Sequence, residues 1–282
     1  LYHQIDRRYQ KCHYRNGTER PSCVAAYFLV RRLADTALTF LEARQHPFQW
    51  LGISVRQEKQ CFSTEGCWGS AVAAAFERKC DVVARGFSGY NSRMCKHVLP
   101  RVLGPEDAST VAAFVLCLGA NDSSSLVEGG NPVVPLDEYV QNMEEMLSHV
   151  RMCGIPYDKV ILITPPPADQ KAWAVHCKEV GQPLRYRSLD CTAKYAEACK
   201  ELGSLGHHAV VDAFSAFLKE QKWENLLVDG LHFSRAGVGK LTELLILNLE
   251  KAAGQLPSLF PPWRDVDPNR PELSLRAWAP GD

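Results

Sequence analysis

The sequence predicts an α/β chain: a three-layer αβα sandwich in which one five-stranded parallel sheet carries helices on both faces. Three observations support this. From about Asp81 to Ala253, short apolar runs alternate with stretches of helical periodicity. Two of those runs, Val111–Leu118 and Val160–Ile163, are continuously apolar, as strands buried on both faces are. Residues with chemical potential, Gly89 and Gly119-Ala120-Asn121-Asp122, follow such runs directly, where ligands bind in open parallel sheets.

The elements follow in order. Phe48–Ser54 supplies the first strand and Trp68–Cys80 the helix after it. Asp81–Arg85 is the second strand, followed by the turn residues Gly86, Gly89 and Asn91. Val111–Leu118 is the third. Leu136–Val150 sets Leu136, Tyr139, Val140, Met143 and Leu147 at helical spacing, and Gly154 lies just past its end. Lys159–Thr164 is the fourth strand, stopped by Pro165-Pro166-Pro167. Ala193–Leu202 is a helix and Ala209–Val211 the fifth strand. Arg235–Ala253 is the last helix, with Leu241, Leu244, Leu245 and Leu249 on one face and Ser234 as its N-cap.

These elements occupy residues 47–256, a single domain. Residues 1–46 form an atypical extension, either disordered or helical over Cys23–Arg44. Residues 257–282 are a Pro-rich tail, lying extended over the surface or disordered. The chain opens with Leu rather than Met, so it is expected to be a fragment or a translated gene model.

Composition narrows the function classes. The 282 residues contain 32 Lys+Arg against 32 Asp+Glu, so no net field draws the protein to nucleic acid or anionic lipid. No run approaches the ~20 apolar residues of a membrane span. The Cys23–Val30 run ends in Arg31-Arg32, the wrong order for a secretory signal. Eleven cysteines without a repeated short pairing read as reduced thiols of a cytoplasmic protein, not as a structural metal site. Asn16-Gly17-Thr18 matches a glycosylation acceptor by chance on that reading.

Asp229 and His232 are three residues apart on one loop. A carboxylate holding one imidazole nitrogen leaves the other as a base, the arrangement of a hydrolytic triad. On its own, such spacing occurs in many proteins, and a His before a helix is commonly a surface or capping residue. Asn121 adds an independent sign. It is either a turn former or a side-chain N–H donor to an oxyanion, worth ~3 kcal/mol in a transition state. Gly89 is either a turn glycine or the second donor through its backbone N–H. Together they point to acyl transfer at a serine.

The order Gly89, Gly119-Ala120-Asn121-Asp122, Asp229-x-x-His232 resembles the SGNH (GDSL-type) hydrolases. Trp68-Gly69, Arg78–Val82, Arg85–Asn91, Val160–Pro165 and Pro262–Val266 look more narrowly like the isoamyl acetate-hydrolysing esterase branch, with the likeness running from Trp68 to Leu275. The resemblance implies a flavodoxin-like sandwich, hydrolysis of small carboxylic esters, and neither metal nor organic cofactor. It implies Ser54, Asp229 and His232 as catalytic residues and Gly89 and Asn121 as the oxyanion hole.

The first block departs from the family pattern. Where the family carries Gly-Asp-Ser, this chain has Gly52-Ile53-Ser54, without the acidic residue. Aligning the helix after Trp68 without a gap moves the nucleophile position to Gln57, while Ser63 and Cys61 do not end a strand-like run. The leading expectation is a serine ester hydrolase for short-chain esters. The alternatives are a catalytically impaired SGNH-fold binding protein, motivated by the degenerate Gly52-Ile53-Ser54, and acyl transfer to another alcohol. Leu184–Leu189, between the prolines and the next helix, is a candidate lining of the acyl pocket.

Overall fold

The computed structural model describes residues 24–32, 68–254, 256–258 and 260–277, of which 24–32, 84–85, 107–108 and 276–277 are described by their backbone alone. The expected first strand Phe48–Ser54, and Ser54 with it, lies outside the described residues. Five strands stand in the order β2-β1-β3-β4-β5. They are β1 (Val24–Arg32), β2 (Cys80–Ser88), β3 (Val111–Cys117), β4 (Val160–Ile163) and β5 (Ala209–Val211).

The sheet corrects the expectation of five parallel strands, because it is mixed. β3, β4 and β5 pair in parallel. β1 runs antiparallel to both its neighbours, from Val24 opposite Ser88 to Arg32 opposite Cys80, with a register shift at Val30/Arg31 against β3. The segment read as a helix over Cys23–Arg44 therefore contains a central strand. A short apolar run such as Val24–Val30 reads alike as helix or strand, and its pattern is the same in either direction. What decides is the unpaired edge of β3, whose backbone groups require a partner.

Strand periodicity sorts the core into two layers. Ala113, Val115, Ile161 and Ile163 face one way, against α1 (Trp68–Ala75), α4 (Gln170–Val180), α6 (Ala213–Leu218) and α7 (Arg235–Ala253). Phe114, Leu116, Val160 and Leu162 face the other, against α2 (Ser92–Val102), α3 (Leu136–Met152) and α5 (Leu189–Leu205). The three layers follow from this alternation.

Several boundaries move. The helix at Trp68 stops at Ala75, and β2 begins at Cys80, because Arg78 turns the chain with φ +60°. α5 starts at Leu189, where the Ser188 side chain accepts the Cys191 N–H. α2 and α4 were not anticipated. Their caps are Asn91, which accepts from Met94 N, and Asp169, which accepts from Lys171 N and Ala172 N. The tail expected to be extended or disordered contains a last short helix, α8 (Pro271–Ala277). Among the described residues no helix is long and apolar enough to cross a membrane.

Candidate active site

The loops leaving β2 and β3, and the loop before α7, carry the sequence candidates. After β2, Gly89 takes φ +79°, a conformation glycine adopts without a Cβ clash, and Tyr90 N–H closes the turn onto Phe87 C=O at 3.1 Å. After β3, the buried Asn121 donates from Nδ2 to the Tyr90 carbonyl at 2.7 Å. The structure therefore brings Gly89 and Asn121 onto adjoining loops. Beneath them Asp122, fully buried, accepts from Ser92 N at 2.8 Å and Gly119 N at 3.2 Å. Burial raises the Asp122 carboxyl above its ordinary range, against the bonds from Ser92 and Gly119.

The loop before α7 is tied at both ends. Val228 N–H donates to His232 C=O at 2.7 Å, and Ser234 N–H donates to Leu226 C=O at 2.8 Å. Within it, Asp229 Oδ2 meets His232 Nδ1 at 2.5 Å, with the two side chains 4% and 2% exposed. Asp229 Oδ1 accepts the backbone N–H groups of Leu231 at 3.1 Å and His232 at 2.9 Å. Burial opposes the Asp229 charge, but the imidazole and these N–H donors outweigh it and hold the carboxyl below its ordinary value. The pair predicted from a spacing of three is thus assembled, with the ring fixed at Nδ1.

Residues that sequence reasoning missed join this loop to Asn121. Asp169 N–H donates to Gly230 C=O at 2.7 Å, which docks α4 beside the pair. Trp173 of α4 is fully buried and stands edge-on to His232, with centroids 5.6 Å apart and planes at 72°. His176, one turn later, lies 3.7 Å from Asp229 Oδ2 through Nε2. Arg187 lies over Trp173 at 5.7 Å and donates from Nη2 to Asn121 Oδ1 at 3.3 Å. Arg187, a buried cation, falls inside the Leu184–Leu189 segment that the sequence singled out. No local spacing announces such contacts, since all but the stacking of Arg187 on Trp173 join residues more than fifty positions apart. Among the described residues, no group of three or more His, Cys, Asp or Glu is disposed to hold a metal. Cys117 and Cys199 are poor nucleophiles, as burial pushes both thiols up to about 12.

A layered α/β sheet with this constellation at its strand ends defines a class, the carboxylic ester hydrolases of the SGNH type. The chain matches the model of the GDSL-like lipase/acylhydrolase family over residues 52–239 and belongs to that family. It is 41% identical over 218 residues to the isoamyl acetate-hydrolyzing esterase 1 homolog of Mus musculus, covering 75% of this chain and 85% of that one. The Homo sapiens homolog is 38% identical over 212 residues, with the same coverage. A GDSL esterase/lipase of Arabidopsis thaliana is 33% identical over 208 residues, 71% of this chain and 77% of that one. Among solved structures, a lipase/acylhydrolase from Enterococcus faecalis superposes with a TM-score of 0.53 at 22% identity, covering 68% and 87% of the two chains. That likeness concerns the fold alone.

Proposed function

We propose that this protein hydrolyses small, short-chain carboxylic esters through an acyl-enzyme on Ser54. The buried Asp229–His232 contact of 2.5 Å carries the reading. With Nδ1 held by the carboxylate, Nε2 is the nitrogen that takes the Ser54 proton as the hydroxyl attacks the acyl carbon. Asp229 fixes the tautomer and stabilises the imidazolium. The carbonyl oxygen becomes an oxyanion that accepts from Gly89 N–H and from Asn121 Nδ2. Collapse expels the alcohol, which takes the proton from His232. Water then attacks the acyl-enzyme with His232 again as base, releasing the acid and restoring Ser54.

Two further observations support the proposal. The family match begins at residue 52, so it takes in Gly52-Ile53-Ser54. The mouse and human relatives are named for isoamyl acetate, an ester of a two-carbon acid. A cytoplasmic setting fits the seven cysteines with described side chains, all of them thiols. Turnover of p-nitrophenyl acetate and isoamyl acetate tests the proposal: His232→Ala should abolish both. Hydrolysis that persists in His232→Ala would overturn it.

A further inference from the structure

Arg187 is 3% exposed, just before the N-cap of α5. Its place is set by the backbone: Arg187 N–H donates to Gln170 Oε1 at 2.5 Å, and Tyr186 exchanges reciprocal bonds of 2.8 and 2.9 Å with Ser125. From there the guanidinium reaches three groups. Nη1 donates to the Ala120 carbonyl, Nη2 donates to Asn121 Oδ1, and the cation stacks on Trp173. Burying a guanidinium is costly, so its fork must do something that an apolar side chain cannot.

What it does follows from the chemistry of a carboxamide. The oxygen and nitrogen of Asn121 are nearly the same size, and shape alone does not choose between them. Arg187 has only donors to offer, so it accepts one orientation: Oδ1 toward the cation, Nδ2 toward the Tyr90 carbonyl. The flipped amide would set donor against donor. A cation at Oδ1 also draws electron density from the amide, which makes its N–H groups stronger donors. The same guanidinium lies on Trp173, the ring that packs edge-on against His232.

We propose that Arg187 is a positioning residue for the acyl transfer, turning the Asn121 nitrogen toward the oxyanion. The proposal rests on the hydrolase reading above. It is tested by a double-mutant cycle on p-nitrophenyl acetate turnover. Arg187→Met should lower kcat by ~10- to 100-fold with KM within ~3-fold, yet cost less than ~3-fold more in an Asn121→Ala background. Arg187→Lys, a point charge without the fork, should restore only part of the loss. Equal losses in both backgrounds would overturn the proposal, since a residue that merely supports the fold acts whether or not Asn121 is present.

The side-chain amide of Asn121, recognised by NMR from its absence in Asn121→Ala, gives a reading independent of turnover. Its hydrogen exchange should accelerate by ~10-fold or more in Arg187→Met. Unchanged exchange overturns the proposal. If Arg187→Met does not fold, Arg187→Lys takes its place in both measurements. Absence of turnover in the unsubstituted chain would refute the hydrolase reading, and the amide exchange would still decide the role of Arg187.

Discussion

Asp229 accepts three hydrogen bonds within its own loop, two from backbone N–H groups and one from the His232 ring. The backbone bonds need only a carboxamide-sized acceptor, whereas the bond to Nδ1 needs a carboxylate. Asp229→Asn should therefore keep the loop in place but present the wrong partner to the imidazole, lowering kcat by about 10⁴-fold. Steady-state kinetics beside an unchanged circular dichroism spectrum would check this. The pH dependence follows from the same bonds. The folded-state carboxyl titrates below its ordinary 3.8, so the unfolded chain takes up the proton first as pH falls. The Asp229 contribution to stability is therefore complete above 3.8 and fades as pH drops through the folded value. Thermal melts from about pH 5 to about pH 3 should show a shallower acid limb in Asp229→Asn than in the unsubstituted protein. This pair was legible in the sequence because its geometry is local. Trp173, His176 and Arg187 were not, because their parts are set by how α4 and the chain before α5 dock.

At the level of elements, the candidate site depends on how the loop before α7 meets α4. Gly230 sits at the crossing with φ +88°, and a Cβ there would lie 2.5 Å from both Asp169 O and Trp173 N. Gly230→Ala must therefore push α4 away from the loop as well as strain the backbone, at a cost of about 2 kcal/mol or more. Because the displaced helix carries Trp173, kcat should fall with stability, by ~10-fold or more, whereas an effect on Tm alone would show that the two elements are not coupled. Ser234 gives the contrast. Its hydroxyl accepts Gly237 N–H at 3.2 Å and donates to Asn225 C=O at 2.7 Å. Ser234→Ala should cost about 1 kcal/mol, roughly 2–4 °C in Tm, with turnover little changed. The Ser234 cap could be read from sequence, since it is a residue type at a helix start. The close approach at Gly230 could not, because the residues it meets, Asp169 and Trp173, are 61 and 57 positions away.

On the scale of the whole molecule, alternation alone made β2 to β5 and the helices α1, α3, α5 and α7 legible, but not β1, α2, α4 or α6, and the two core layers follow from strand periodicity in β3 and β4. Neither the existence of β1 nor its direction could be read, because a short apolar run suits helix or strand alike and carries no sense. That direction matters for the proposed nucleophile, Ser54. Val24 lies opposite Ser88, so β1 enters the sheet at the edge where Gly89 and Asn121 stand, and Arg32 leaves it at the other. A parallel first strand would have delivered its last residue straight to the site. Here Ser54 lies 22 positions after Arg32 in the sequence, and a chain of that length can span up to about 70 Å, against about 30 Å for the nine residues of β1. The connection is thus long enough to bring the Ser54 hydroxyl back to the edge that holds His232. A fluorophosphonate distinguishes this route from any other. It should add one phosphonyl group per chain, carried by the tryptic peptide containing Ser54, and labelling should vanish in Ser54→Ala and drop sharply in His232→Ala. A label retained in Ser54→Ala would assign the nucleophile to a different residue of the same fold.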